Sequence, residues 1–242
     1  MRGNVRMDQY GYQAAARPVT VDRASAQERT EFLRRVYQHV AGALAVFIVL
    51  EAILQAMPFS VDAAEFMTGG PTWLLVIAGF WIVGMIADRW TSPGLPLSQQ
   101  YLGLGLFVVA EAVIFLPLIA YVRLYEDGNV LPTAGILTGA LVLGLSLIAL
   151  DARTDFSILR GALLVMAPVA LGLILASILF GVGLGTWFSL LMIGLASASI
   201  LYKTDQITKT SRTDGYVSAA LALFASIMLL LWYVIRLLSS RR

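Results

Sequence analysis

The sequence predicts an all-α membrane protein that folds as one bundle of seven transmembrane helices. Hydrophobic residues occupy 59% of the 242 positions and charged residues only 13%, with a mean hydropathy of +0.80. A soluble domain of ordinary composition is about one quarter charged. Moreover, seven apolar runs follow one another along the chain, most of them near the roughly 20 residues that cross the hydrocarbon of a bilayer.

The seven runs define the predicted spans and the domain boundaries. They cover residues 36–57, 73–87, 101–122, 131–150, 161–180, 185–202 and 217–238. The connecting segments are short and rich in Gly and Pro, so none can hold a separate domain. The sequence therefore predicts a cytoplasmic N-terminal tail over 1–35, with a short interfacial helix from Ala26 onward, and a seven-helix transmembrane domain over 36–242.

The orientation follows from the positive-inside rule. Thirteen Lys and Arg residues lie in the tail and after the second, fourth and sixth spans, whereas four lie on the other side. This predicts a multi-pass protein of the cell inner (plasma) membrane with a cytoplasmic N-terminus and an external C-terminus. The basic pair Arg241 and Arg242 fits an external end poorly, which leaves a re-entrant or missed span open.

Composition also excludes several classes of site. The chain has no cysteine and one histidine, His39, so disulfides, thiolate nucleophiles and zinc sites of the Cys or multi-His type are excluded. A net charge of +2 is too small to predict nucleic-acid binding. No nucleophile, base and orienting group converge, so we expect no enzyme, no metal site and no cofactor. The expected partners are the lipid bilayer and possible membrane-protein partners, with the oligomeric state open.

Two carboxylates lie inside the predicted spans and are the candidate functional residues. Glu51 falls in the outer half of the first span, and Glu111 near the middle of the third. An ionisable group in hydrocarbon is costly unless it faces a partner or a wet cavity. We expect both to share one cavity that opens outward, with at least one protonated near neutral pH, forming an ion pathway or a pH sensor. Alternatively, Glu51 reaches the outer interface.

Glycine spacing and proline positions predict how the spans pack. Gly135, Gly139 and Gly144 recur along the fourth span, a spacing typical of close helix packing. Pro117 in the third span and Pro168 in the fifth each remove a backbone donor and allow a kink. A kink beyond Glu111 would shape a cavity, although ordinary bundle packing explains it equally well.

The last third of the chain carries a family resemblance. Residues 200–207, ILYKTDQI, followed by DGYVSAALALFASI at 214–227 and RLL at 236–238, resemble the closing segment of the transmembrane Bax inhibitor motif (Bax inhibitor-1) family. Residues 32–37, FLRRVY, resemble that family's entry into the first span, and Glu111 falls where many bacterial members carry a glutamate. The chain is identified as a divergent member of the bacterial type.

The resemblance implies a seven-helix fold with a central last helix and a pH-sensitive calcium leak gated by two aspartates. The sequence departs from the family at both aspartate positions, which here are Lys203 and Ser226, so the sensor does not carry over. A lysine there would repel calcium, and we expect it to anchor a helix end. It could also form a latch with Asp205, Asp214 or Asp151.

Three functions remain from the sequence. The first is a pH-sensitive calcium or cation leak channel that uses Glu111 and Glu51 in place of the lost aspartates, with calcium as the permeant ion and not a cofactor. The second is a non-conducting membrane regulator that binds other membrane proteins, such as a quality-control protease. The third is a small-molecule transporter, for which the chain has no inverted repeat.

Overall fold

The fold is a helical bundle, described by a computed structural model over residues 19–69, 72–150, 155–181 and 183–240. Eight helices occupy these residues: α1 (Ala26–Ala56), α2 (Ser60–Thr68), α3 (Thr72–Trp90), α4 (Leu97–Tyr125), α5 (Val130–Leu150), α6 (Leu159–Phe180), α7 (Gly185–Lys209) and α8 (Tyr216–Ser239). All except α2 are long and apolar enough to cross a membrane. The predicted seven-span, all-α fold is therefore confirmed.

Helix α1 begins at a capping box. The Ser25 hydroxyl accepts a hydrogen bond from the backbone N–H of Glu28, and the Glu28 carboxylate accepts one from the backbone N–H of Ser25 at 2.9 Å. This reciprocal pair satisfies two donors that a helix start leaves free. From there α1 runs without a break through position 35, so the predicted interfacial turns and the first span form one helix.

Two boundaries differ from the sequence prediction. The connector 58–72 holds the nine-residue helix α2, where a loop was expected. Helix α7 continues to Lys209, whereas the apolar run ends at residue 202. Thr204, Asp205, Ile207 and Thr208 of this extra stretch are buried, so tertiary packing extends the helix beyond the hydrophobic run.

The two ends of the bundle can be named from contacts between helices. At the proximal end, where α1 starts, the backbone N–H of Val21 donates to the carbonyl of Ser211 (2.9 Å) in an antiparallel bridge between Thr20 and Arg212. At the opposite, distal end, where α8 finishes, Thr186 donates a hydrogen bond to Ser240 (3.3 Å). Helices α1, α4, α6 and α8 thus run from the proximal to the distal end.

Helix α8 forms the centre of the bundle. It packs against α1, α4, α5 and α7, and it has more buried residues than any other described helix. Helices α3 and α6 lie at the periphery, with Ala87 and Ala170 as their respective buried residues. The central last helix that the family resemblance implies is therefore present, and the outer helices leave room beside it.

Candidate functional site

Glu111 lies on the α4 face that looks onto a cavity of about 370 Å³. The side chain sits in the middle of the helix and the residue is only 5% exposed. Within the described residues no hydrogen bond or ion pair reaches its carboxyl group. Helix α4 therefore presents a solitary carboxyl group to this space, which we call the inner cavity.

Aromatic and aliphatic side chains build the walls of the inner cavity. Its floor is formed by α4 and α8, and its sides by α3 and α6. Phe107 and Phe115 flank Glu111, one turn before it and one turn after it, and they contact Phe224 and Trp232 of α8 edge-on. These contacts fix the cavity wall, because a T-shaped aromatic pair holds both rings in a defined orientation.

Arg236 lies at the distal mouth of the inner cavity. The pairs Phe107–Phe224 and Phe115–Trp232 show that α4 and α8 run parallel in one register, which puts Met228 at the depth of Glu111. Arg236 is two turns further along α8 and lines the same cavity, about 12 Å from that depth at 1.5 Å per residue. The inner cavity thus carries a carboxyl group at its base and a guanidinium group at its mouth.

A second space, the outer cavity, adjoins the inner one at the distal end. It measures about 400 Å³ and lies between α2 and the last turns of α4. Trp73, Trp232 and Arg236 line both cavities. The two indole rings stack with centroids 6.4 Å apart and planes 16° from parallel, so this tryptophan pair forms the partition between the two spaces.

Glu51 does not line the inner cavity and lies instead at the contact between α1 and α4. The expectation that Glu51 and Glu111 share one cavity is therefore wrong for the inner cavity. The Glu51 carboxylate accepts a 3.4 Å hydrogen bond from the Gln55 side chain, which also donates to the Leu116 carbonyl at 3.0 Å. Arg123 in turn donates to the Gln55 carbonyl at 3.0 Å. Since α1 and α4 run parallel, Glu51 lies near the depth of Glu111 but faces the α1–α4 contact.

Lys203 and Ser226 occupy the positions of the family's two aspartates. Lys203 is half-buried on α7, with its ammonium nitrogen 5.8 Å from the ring centroid of Tyr202. Ser226 is buried on α8; its hydroxyl oxygen lies 2.9 Å from that of Ser199 and donates to the Ala222 carbonyl. A neutral hydroxyl pair therefore links α7 to α8 at the second position.

Asp205 and Asp214, two of the three predicted latch partners of Lys203, form ion pairs with other residues. Asp205 is buried, and its carboxylate contacts Lys209 one turn later at 2.6 Å. Asp214 instead pairs with Arg212 through two hydrogen bonds of 3.0 and 2.9 Å. The i, i+4 spacing favours Lys209 over Lys203 as the partner of Asp205. Asp151, the third proposed partner, lies outside the described residues.

Lys209 also connects two helices at the proximal end. Its ammonium lies 3.5 Å from Asp155, just before α6. The backbone N–H of Ser157 donates to the Asp155 carboxylate at 3.0 Å. This hydrogen bond, then the Ser157 side chain, and then the Lys209 charge hold the pKa of Asp155 below its ordinary value of 3.8. The network of Asp205, Lys209 and Asp155 ties the start of α6 to the end of α7.

Sequence reasoning missed the cationic and aromatic parts of this site. Arg236 was counted as a topology signal, and Trp73 and Trp232 as ordinary apolar residues of their spans. An arginine in the last turn of an apolar helix was the available hint. Among the described residues, no group of three or more His, Asp and Glu side chains is arranged to hold a metal.

Comparison with known proteins shows one family across nearly the whole chain. Residues 29–242 match the family model described as "Inhibitor of apoptosis-promoting Bax1". Protein LIFEGUARD 4 of Arabidopsis thaliana is 30% identical over 217 aligned positions, and the match covers 84% of this chain and 82% of the plant protein. An uncharacterized protein of Pseudomonas aeruginosa is 33% identical over 108 residues, which are 44% of this chain and 48% of that protein.

Proposed function

The chain belongs to the Bax inhibitor-1 family, and from this premise we propose that it is a non-enzymatic, pH-sensitive cation leak channel with calcium as a permeant ion. Glu111 is the titrating residue of the pathway, which starts at the distal end. The N-terminus and the proximal end face the cytoplasm of the cell inner membrane. No resident cofactor or metal is required.

The observation that carries the proposal is the solitary carboxyl group of Glu111 at the base of the inner cavity. It is 5% exposed and unpaired within the described residues. Burial of an unpaired ionisable group is costly, so such residues in membrane proteins are retained for ion or proton pathways. When ionised, Glu111 attracts a cation into the cavity; when protonated, it no longer does. We therefore expect the leak to decrease as the pH falls.

Few other charges face Glu111 from the surrounding helices. From α8, Tyr233 and Arg236 line the inner cavity, and the lining residues of α3 and α6 carry no ionisable group. On the other side of α4, Glu51 lies at similar depth, with one carboxylate oxygen hydrogen-bonded to Gln55 and the other buried without a hydrogen-bond partner among the described residues. Arg236 is cationic at all physiological pH values. Glu111 is thus the group whose charge changes with pH inside this cavity.

The proximal half of the bundle is closed in this conformation. Phe107 and Phe224 meet below Glu111, and Ser199 and Ser226 join α7 to α8. Conduction therefore requires separation of α8 from its neighbours. Lys203, near the proximal end of α7, adds a fixed positive charge at the family's first aspartate position, which lowers the local concentration of cations.

Calcium flux into dye-loaded proteoliposomes between pH 5 and pH 8 tests the proposal. We expect wild-type flux to rise with pH and the Glu111→Gln variant to lose both the flux and its pH dependence. Glu51→Gln makes the same charge change at similar depth and serves as the matched control, with flux retained. Lys203→Asp should increase the flux, because an attractive charge replaces a repulsive one.

An absence of flux in wild type and in Lys203→Asp would overturn the channel. The function would then be that of a non-conducting regulator of other membrane proteins, for which the fold offers lipid-facing helices α3 and α6. Equal flux in Glu111→Gln and wild type would retain a leak but remove Glu111 from its pathway. Size-exclusion chromatography and thermal unfolding of each variant establish that it is folded.

A further inference from the structure

We propose that the inner cavity is a binding site for a lipophilic organic cation, a quaternary ammonium group carried on an apolar body, with the Glu111 carboxylate as its counter-ion. This inference rests on the proposed role of Glu111 as the charged group of the cavity. It goes further by naming a ligand class that an ion leak does not need. A ligand can bind without any ion conduction, so the proposed cation leak and the proposed binding site can fail separately.

The carboxyl group supplies the charge that selects a cation. Glu111 is more than nine-tenths buried, lines the cavity and has no partner among the described residues. A buried carboxylate without a partner is strongly unfavourable, and a cation placed beside it removes most of that cost. The cavity is thus electrostatically incomplete when empty.

The walls select an organic cation over a hydrated metal ion. Trp73, Phe80, Phe107 and Trp232 line the cavity around Glu111, and aromatic ring faces attract quaternary ammonium groups. The volume of about 370 Å³ lies in the range of small-molecule sites, roughly 300–1,000 Å³. A single metal ion would fill a small part of it and leave the apolar walls unused.

The surrounding helices provide a route from the lipid. The cavity lies between α3, which packs on α4, and α6, which packs on α7. Each of these outer helices contributes a single buried alanine, Ala87 or Ala170, to the protein interior. Arg236 places a positive charge at the distal mouth of the cavity. A cation that partitions into the bilayer can enter between α3 and α6 without passing Arg236. A hydrated ion does not partition into the bilayer, so it must enter at the distal mouth, past Arg236.

A matched ligand pair tests the proposal. Benzyltrimethylammonium and neopentylbenzene have the same shape, because a quaternary nitrogen in the first replaces a quaternary carbon in the second. Binding of each is measured by isothermal titration calorimetry at pH 8 to the full chain in nanodiscs, with empty nanodiscs subtracted. The proteins are wild type, Glu111→Gln and the control Glu51→Gln, each checked for an unchanged thermal unfolding midpoint.

We expect the cation to bind wild type at least about tenfold more tightly than its neutral analogue, the effect of one charge-assisted contact. Glu111→Gln should lose this preference, and Glu51→Gln should keep it. Equal affinity of wild type for both ligands, or equal cation binding by wild type and Glu111→Gln, would overturn the proposal. The comparison of the two ligands on wild type does not depend on any variant being folded. Calcium flux without binding of the organic cation would support the leak and contradict the proposed binding site.

Discussion

Trp73 and Trp232 stack with ring centroids 6.4 Å apart, and both residues of this pair line the outer cavity as well as the inner cavity. Trp73 comes from the start of α3, a peripheral helix, and Trp232 from the central helix α8. Phe115 holds Trp232 from the side at 5.0 Å. The partition can therefore open by a movement of α3 alone, while Trp232 stays fixed in the core.

Truncation of Trp73 tests this partition. Trp73→Ala should join the two cavities and raise the calcium flux at pH 8 several-fold, whereas Trp73→Phe retains a stacked ring and should resemble wild type. The proteoliposome flux assay measures both. Trp187, 84% exposed at the start of α7, provides the control, and a similar rise in Trp187→Ala would contradict a specific role of the stacked pair.

The contact between α1 and α4 at the distal end depends on Gln55. Its side chain donates to the Leu116 carbonyl, and its own carbonyl accepts from Arg123, both at 3.0 Å. Gln55→Ala removes the first bond and should lower the free energy of unfolding by about 1–2 kcal/mol, measured by denaturant titration in detergent. Exposed Gln27 on the same helix is the control, expected to stay within about 0.5 kcal/mol of wild type.

Close packing between α3 and α4 is concentrated at Gly103. A Cβ atom added there would lie 2.9 Å from the Ala87 carbonyl oxygen and 2.9 Å from the Trp90 Cβ. Gly103→Ala should therefore cost about 1–3 kcal/mol of stability through overpacking, seen as a lower unfolding midpoint. Gly105, two positions later, has open space around it, and Gly105→Ala should be neutral or slightly stabilising. Equal effects at both positions would refute the close contact.

The Asp155 ion pair predicts how stability changes in acid. The pKa of Asp155 is held below 3.8 by the Ser157 backbone N–H, then by the Ser157 side chain and by Lys209, so the folded state favours the ionised carboxylate. Its contribution is therefore present above pH 3.8 and is lost as the pH falls through the lowered pKa. Asp155→Asn should unfold with a flatter pH dependence between about pH 5 and 2 than wild type, measured by thermal unfolding.

Ser157 supplies the matched control for that experiment. Ser157→Ala keeps the backbone N–H that is the largest cause of the lowered pKa but removes the hydroxyl that is the second, so its acid dependence should lie between those of wild type and Asp155→Asn. Ser157→Pro removes the backbone donor as well and should behave more like Asp155→Asn. An unchanged acid dependence in Asp155→Asn would show that this pair contributes nothing to folding.

The sequence was sufficient for the seven spans because each carries a long apolar run, and hydrocarbon permits few alternatives to a helix. It was insufficient for α2 and for the end of α7. Helix α2 is short, and the end of α7 is polar. They fold as helices because neighbouring helices bury Ala64 on α2 and Ile207 on α7. A hydropathy pattern does not show which residues a neighbouring helix will cover, so it did not predict these two helical segments.

The candidate site was likewise only partly predictable from the sequence. Glu111 stood out from the sequence because a carboxylate in mid-span is rare and expensive. Trp73 of α3 and Arg236 of α8 line the same cavity as Glu111, and only the packing of both helices around α4 brings them to it. Likewise, Gly139 has the spacing of a packing residue yet lies beside open space, whereas Gly103 makes the close contact.

The bond between Val21 and Ser211 joins the start of the chain to its final third, and α1 and α4 complete their burial only against α8. During synthesis, six spans must therefore enter the bilayer before the seventh arrives to unite them. A nascent chain halted ahead of residue 216 would expose the faces of α1, α4, α5 and α7 that α8 normally covers. Formation of the interior is thus coupled to the synthesis of α8, and a chain that stops before α8 leaves those faces uncovered.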